Sequence, residues 1–420
     1  MSELVVNGDR LLARLAELAQ IGAIEGTAGC SRLALTSEDG AGRDLVATWM
    51  RGLGMSVTVD GIGNVIATMV GANPGPPVMT GSHIDTVGTG GRYDGNLGVL
   101  AGLEVVETLL EAGVTPERDI AVGFFTNEEG ARFAPDMLGS LVYVGGLPLE
   151  EALEKVAIDD AILREELDAI GYRGVAPSPG PAPHAFVELH IEQGPVLEVE
   201  GIRIGAVTGV QGISWTEFTI TGQSNHAGTT PIALRHDPGL VAMQIAAHVR
   251  EIALELGGSQ VGTVGKIDLH PNLVNVVAAT ATITVDLRNT DEATLQEAEA
   301  RVQTFVAAAA KDEGCTVQQR VLARFEPVDF SVDVIDSVEA AAQRLGHTVT
   351  RMPSGAGHDA QMMARVCPTG MVFVPSVGGI SHNPAEHTDA ADLEAGANVL
   401  LHVVLELCSR DLLTTRAVKD

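Results

Sequence analysis

Two glutamates stand side by side at positions 128 and 129, in FFTNEEGARF, where the apolar run AVGFF gives way to a turn. Adjacent carboxylates beside a buried strand repel each other and are costly to desolvate, so something must compensate them. Four other segments offer donors in comparable places. His83 lies in TGSHIDT, just after an apolar strand, and Asp94 in the glycine-rich GGRYDGNLG that opens a helix. His190 lies in ELHIEQGP, and His382 in GGISHNPAEHT after the apolar MVFVPSV. Any one of the twelve histidines is by itself more often a core or surface residue than a ligand. Position singles these out, because ligands of open α/β sheets collect beyond the C-terminal ends of strands. Imidazole with carboxylate and without thiolate suits zinc, and also manganese, nickel or cobalt. Two neighbouring cations would compensate the clustered acids. A carboxylate between them would sit at the ~3.5–4 Å metal spacing of two-metal hydrolases.

Such a set needs a scaffold. Leu11, Leu12, Leu15 and Leu18 mark one face of a helix over 9–20, and SEDGAGRDLVATWMRGLG (37–54) reads as a second, capped by Ser37 or Asp39. VTVDGIGNVIATMVG alternates like a two-stranded hairpin, and a third helix spans 98–113. PPVMTGSHIDTV, DIAVGFFTNEEG and AFVELHIEQG read as buried strands running into loops. Helix and strand in alternation predict an α/β sandwich with a mostly parallel sheet. From ISWTEFTITG the texture changes to strand–helix–strand–strand–helix–strand, the ferredoxin-like plan. The expected architecture is therefore a split α/β domain, residues 1–213 and 327–420, interrupted by an inserted α+β domain over 214–326.

The 420 residues are too many for one ordinary core, which agrees with two domains. A net charge of −29 argues against nucleic acid and anionic membranes as partners. No apolar stretch approaches the ~18–20 residues of a membrane span. The N-terminus mixes acids and bases without the regions of a signal peptide. Cys30, Cys315, Cys367 and Cys408 are scattered and form no CxxC pair, as expected of buried free thiols in a reducing cytoplasm.

Taken in order, GSHIDTV, GGRYDGNLGVLAGLEV, TNEEGARF, LHIEQGP, HAGTTP, NLVNVV, DLRN, SGAGHDA and SHNPAEHT resemble the two-metal amidohydrolases that cleave N-carbamoyl groups. That family includes N-carbamoyl-L-amino acid hydrolase, allantoate amidohydrolase and the yeast-type β-ureidopropionase, and is related to zinc aminoacylases and carboxypeptidases. The motifs run through essentially the whole chain, and their order is more specific than any one of them. The resemblance implies that His83 and His190 ligate one metal, Glu129 and His382 the other, and that Asp94 bridges them. It implies that Glu128 is the general acid/base and that Asp85 orients the His83 imidazole. In the inserted domain, which would act as lid and dimerisation domain, His226 would donate to the oxyanion. To reach the metals it would need domain closure or a neighbouring subunit. Asn275 and Arg288 would bind the substrate carboxylate, for which a guanidinium fork is suited. Gln193 would contact the substrate amide, and Gly355, Ala356 and Gly357 would allow close approach, with His358 nearby. The implied partner is a small molecule carrying a carboxylate and a ureido group, and the implied assembly a homodimer.

Two positions depart from the family's pattern. GCSRLAL (29–35) lacks a second glycine common at that turn, and Asn96 stands where apolar residues are usual. Allantoate or β-ureidopropionate are the alternative substrates, since they share the carboxylate and the ureido group. A dipeptidase or aminoacylase, or a relative that has kept its metals and lost catalysis, is a remoter alternative.

Overall fold

Four runs without polar alternation become the central strands: Val78–His83, Ile120–Phe125, Ala185–Ile191 and Thr369–Val374, buried at every position. Strands covered on both faces read this way. In the computed structural model, which describes residues 4–412, they pair in parallel in the order Ile120–Phe125, Val78–His83, Ala185–Ile191, Thr369–Val374. The hairpin Ser56–Val59/Val65–Met69 extends one side antiparallel, and Ile204–Val210 the other. Because the core is parallel, these strands finish on one edge. His83 is level with Phe125, and His190 with Phe373. The expected α/β architecture with a mainly parallel sheet is thus observed.

The chain divides into two compact units, one of residues up to Gly209 together with those from Asp329, the other Val210–Val328. In the larger unit, helix Asn96–Glu111 packs on strand Val78–His83 and under helix Ala390–Ser409, and it is apolar nearly all round as that burial requires. Its buried Glu104 is compensated by Arg10 at 2.7 Å. Helix Ser37–Gly52 is capped by Thr36, whose hydroxyl accepts from Asp39 N. The expected caps, Ser37 and Asp39, fall inside the first turn. Asp39 turns back to accept from Leu35 N and pairs with the fully buried Arg43 at 2.8 Å.

In the smaller unit the strand order is Thr316–Phe325, Gly212–Thr221, Thr280–Asn289, Val261–His270, all antiparallel. Numbered along the unit this is 4-1-3-2. With helices Pro238–Leu256 and Glu292–Asp312 it completes the ferredoxin-like plan. Phe218, Ile220, Val241, Ile245, Ile283 and Leu295 lie in its core. All four cysteines are free and buried. Among the described residues no helix is long and apolar enough to cross a membrane.

Candidate metal centre

The turn after Phe125 decides where the paired glutamates go. Successive strand residues face opposite ways, so both can reach one site only where the strand breaks. Asn127 does this with φ +57, and Gly130 follows at φ +64. A Cβ at Gly130 would lie 2.7 Å from Asp136 Cα, so the return of the chain requires glycine there. The turn is held from below. Thr126 N donates to Asn64 Oδ1, Arg43 donates to Thr126 Oγ1, and Asn64 is itself held by Asp60. The Asp85 carboxylate accepts from Glu128 N and Glu129 N at 3.3 and 3.4 Å.

Two donor groups meet on Asp94. His83, Asp94 and His190 form one, and Asp94, Glu129 and His382 the other, with the ligand atoms of each group within 4.8 Å of one another. Asp94 Oδ1 lies 3.1 Å from His190 Nε2 and 3.7 Å from His83 Nε2. Its Oδ2 lies 3.5 Å from His382 Nε2, which is 3.2 Å from Glu129. The Nδ1 atoms of His83 and His190 face the carbonyls of Asp85 and Ile191 at 2.9 and 2.8 Å. A carbonyl only accepts, so each Nδ1 carries a proton and each Nε2 is the atom turned toward the centre. Asp85 thus stands beside His83 as expected, but it reaches the ring through its carbonyl. Its carboxylate stands 4.0 Å from the imidazole and holds the glutamate peptides instead, while its backbone orients His83. Glu128 belongs to neither donor group. It is buried, with Oε2 3.3 Å from His83 Nε2.

With protons alone as balancing charge, burial drives Glu128 well above the ordinary carboxylate range, reinforced by Asp359, Glu129 and Asp85. Burial, with Asp94, also raises Glu129. Burial acts upward on Asp94 too, but His190, His83 and His382 outweigh it and hold that carboxyl low. Burial lowers His190, yet Asp94 and Glu188 carry it to about 9, and Glu129 carries His382 to about 9. Protons are thus drawn to His190, His382 and the two glutamates, while burial lowers His83, and cations would otherwise balance these charges. Nitrogen and oxygen donors in two groups sharing one carboxylate fit a pair of divalent ions.

The model of peptidase family M20/M25/M40 matches residues 79–406. The chain belongs to this family. An N-carbamoyl-L-amino-acid amidohydrolase from Rhizobium meliloti is 42% identical over 403 residues, 96% of this chain and 96% of its own. Another, from Geobacillus stearothermophilus, is 41% identical over 415 residues, 96% of this chain and 99% of its own. A hydantoinase/carbamoylase family amidase from Burkholderia multivorans has a crystal structure that matches with a TM-score of 0.94 at 44% identity, covering 97% of this chain and 100% of that one. The resemblance read from the ordered motifs therefore holds over nearly the full length.

The remaining expected residues of this M20-family chain divide into those beside the donors and those on the inserted unit. Gln193 is beside them. Its Nε2 donates to Asp94 Oδ2 at 2.8 Å, while its Oε1 is buried without a partner among the described residues. His358 is buried behind His190, ring centroids 4.6 Å apart, with Nε2 2.8 Å from Ser354 Oγ. It packs against a donor imidazole and forms a third donor group with Glu188 and His190. Gly355, Ala356 and Gly357 make the turn that returns to it, Ala356 N donating to Ser354 Oγ. On the inserted unit His226 is exposed, and its Nδ1 accepts from Gly228 N and Thr229 N at 3.0 and 3.2 Å. Asn275 lies next to it through the ribbon pairing Val276 with His226. Arg288 is elsewhere, near the far end of strand Thr280–Asn289, paired with Asp286 at 3.0 Å and over the Trp215 ring.

Three further residues contribute that the expected site did not include. Asn96 accepts from the fully buried Arg32 at 2.8 Å and donates to the Asp94 carbonyl at 3.1 Å, which accounts for a polar residue at that position. Glu188 accepts from Ser82 Oγ at 2.5 Å and from Ala360 N. Its spacing of two from His190 on one strand was the available signal. Glu386 accepts from Tyr93 N and Asp94 N, four residues after His382 in a motif already singled out.

Proposed function

We propose that the protein hydrolyses N-carbamoyl-L-amino acids to the free L-amino acid, ammonia and carbon dioxide. Two divalent ions would serve it, with zinc first and manganese, nickel or cobalt as alternatives. His83 and His190 would hold one ion, Glu129 and His382 the other, and Asp94 both. The observation that carries this reading is Glu128, a buried carboxylate 3.3 Å from the donor His83 and a member of neither donor group. A protein that only binds metal has no use for such a group.

Bound, the ions would supply Lewis acidity, polarising the ureido carbonyl and making water acidic enough to attack it. Glu128 takes the proton from that water and delivers it to the departing amino group. Ammonia leaves, and the carbamate left on the amino acid nitrogen loses carbon dioxide. His226 is suited to stabilise the oxyanion. With Nδ1 accepting two backbone hydrogen bonds, the ring proton sits on Nε2 and presents a donor to solvent. The Gln193 Oε1, buried and unpartnered among the described residues, is suited to accept from a ureido N–H. Arg288 and Asn275 would bind the carboxylate, and His358 with the 355–357 turn would close the pocket wall behind His190.

The same residues support a homodimer. Asn275 and His226 sit near the Thr280 end of a strand whose Arg288 lies eight residues on, roughly 26 Å away at 3.3 Å per residue. One small substrate cannot touch both, so the two ends would serve different sites, as in a dimer that shares its inserted domains. Mixing His226→Ala with Arg288→Ala subunits is then expected to restore activity that neither homodimer has at low substrate. No restoration in a mixture shown by size to exchange subunits would remove the shared-site reading. Four buried thiols suit a cytoplasmic setting. The function itself is tested by ammonia release from a panel of N-carbamoyl-L-amino acids, allantoate and β-ureidopropionate. Turnover of allantoate alone would displace the proposal.

A further inference from the structure

One buried carboxylate ties together the two loops that bring the shared donor and the outermost histidine to the centre. Glu386 Oε1 accepts from Tyr93 N at 3.0 Å and Asp94 N at 3.2 Å. Ser381 Oγ lies 3.2 Å from Glu386 Oε2 and 2.8 Å from Asp94 Oδ2, so one hydroxyl joins the two carboxylates. The side chain is turned inward by a tight bend in which Ala385 N donates to Asn383 Oδ1 and Glu386 N to Asn383 O, both at 2.9 Å. Room is made for it by Gly91, where a Cβ would lie 2.0 Å from Glu386 Oε1. Segments almost three hundred residues apart thus meet on one side chain that is 2% exposed.

We propose that Glu386 is a positioning residue, fixing the Asp94 backbone and the Ser381–His382 segment so that the two oxygens of Asp94 face the two donor groups. The reasoning is geometric. Asp94 must divide its oxygens, with Oδ1 toward His190 and His83 and Oδ2 toward His382. Its loop precedes a helix whose N-cap, Gly95, offers no side-chain bond. Without Glu386 the peptide nitrogens of Tyr93 and Asp94 lose their acceptor, and the rotation of the Asp94 carboxylate is left to Ser381 and Gln193. Partners of metal ligands that act in this way typically change affinity 10–100-fold when removed.

The inference rests on the two-cation reading of the centre, and the test separates the two. Metal-stripped wild type, Glu386→Ala and Glu386→Gln are titrated with zinc and with manganese by calorimetry, and bound metal is counted by atomic absorption. Wild type is expected to bind two ions and Glu386→Ala to bind at least one of them 10–100-fold more weakly. Its KM should stay unchanged once metal is in excess. Glu386→Gln is the rescue. Its carbonyl oxygen can accept from Tyr93 and Asp94, and its amide can donate to Ser381 Oγ, so most of the affinity should return. A Glu386→Ala protein that binds both ions as wild type does, merely melting lower, overturns the positioning role. So does a Gln variant as impaired as Ala, since charge rather than geometry would then matter. If Glu386→Ala does not fold, Ser381→Ala is decisive. It keeps the backbone contacts of Glu386 and should weaken the same binding event by a smaller factor, and unchanged binding overturns the proposal. A wild type that binds no metal would instead overturn the proposed function.

Discussion

The donor residues of the larger unit and the residues proposed for substrate in the inserted unit are built in opposite ways. Asp94, His83 and His190 are buried, each aimed by a neighbouring backbone or carboxylate, the histidines from the ends of parallel strands and Asp94 from the loop that opens a helix. His226 and Asn275 are exposed, and Arg288 is half-buried at the other end of a strand. The first region is complete within one unit. The second presents His226 and Asn275 to solvent. Chemistry that must hold repelling charges requires a fixed, desolvated frame, whereas recognition of a small anion can be left to surfaces that come together around it.

The contrast breaks first if the fixed region is not where the chemistry happens. Glu128→Gln should retain both metal ions and lose ~10²-fold or more in kcat, because only the proton carrier is removed. Chelation should abolish activity in wild type and variant alike. Near-normal turnover by Glu128→Gln would take the acid/base role from this residue. His226→Ala tests the other region. Loss of an oxyanion donor should cost ~10²–10³ in kcat with metal content untouched. If instead metal is lost, His226 supports the centre rather than the transition state.

The two regions were also unequally legible in the sequence. The candidate donors His83, Glu129 and His190 were readable because α/β sheets collect ligands at strand ends, and apolar runs that give way to His or Glu mark those ends. The strand–helix–strand–strand–helix–strand texture likewise foretold the smaller unit's sheet. What was hidden is the support. Arg32 reaches Asn96 across 64 residues and Asp85 reaches Glu128 across 43. No local pattern encodes such distant pairs, so neither the Arg32 partner of Asn96 nor the second task of Asp85 could be read. Thr36 takes the cap in place of Asp39 for a related reason, since Asp39, a good cap by type, is engaged by the buried Arg43.

That hidden support has its own signature in pH. Asp60 holds Asn64, which holds Thr126 at the root of the glutamate turn. Burial pushes the Asp60 carboxyl up to about 6, against the hydrogen bonds from Asn64 and Ile62. A pKa raised in the folded state means stability is greatest below the unfolded value near 4 and is lost as pH rises through about 6. Two pH units correspond to about 3 kcal/mol. The unfolding free energy of wild type minus that of Asp60→Asn, from urea titrations, should therefore fall by up to about 3 kcal/mol between pH 4 and pH 7.5. A difference that is flat in pH would mean Asp60 stays ionised in the fold.

The smallest expected effect comes from the open region. Arg288→Ala removes a charged hydrogen-bonding partner from a half-exposed site, worth roughly 1.5–3 kcal/mol, so kcat/KM for carboxylate substrates should fall about 10–100-fold. Most of the loss should appear in KM, because the guanidinium would hold substrate and transition state alike. Metal content and the stability of the larger unit should not move. The control is an N-carbamoyl amino acid ester. Without the carboxylate there is nothing for the fork to pair with, so wild type should handle the ester about as poorly as Arg288→Ala handles the acid. The variant should lose little more on the ester. If wild type turns over ester and acid equally well, Arg288 is an ordinary partner of Asp286, and recognition of the carboxylate must be sought elsewhere on the exposed unit.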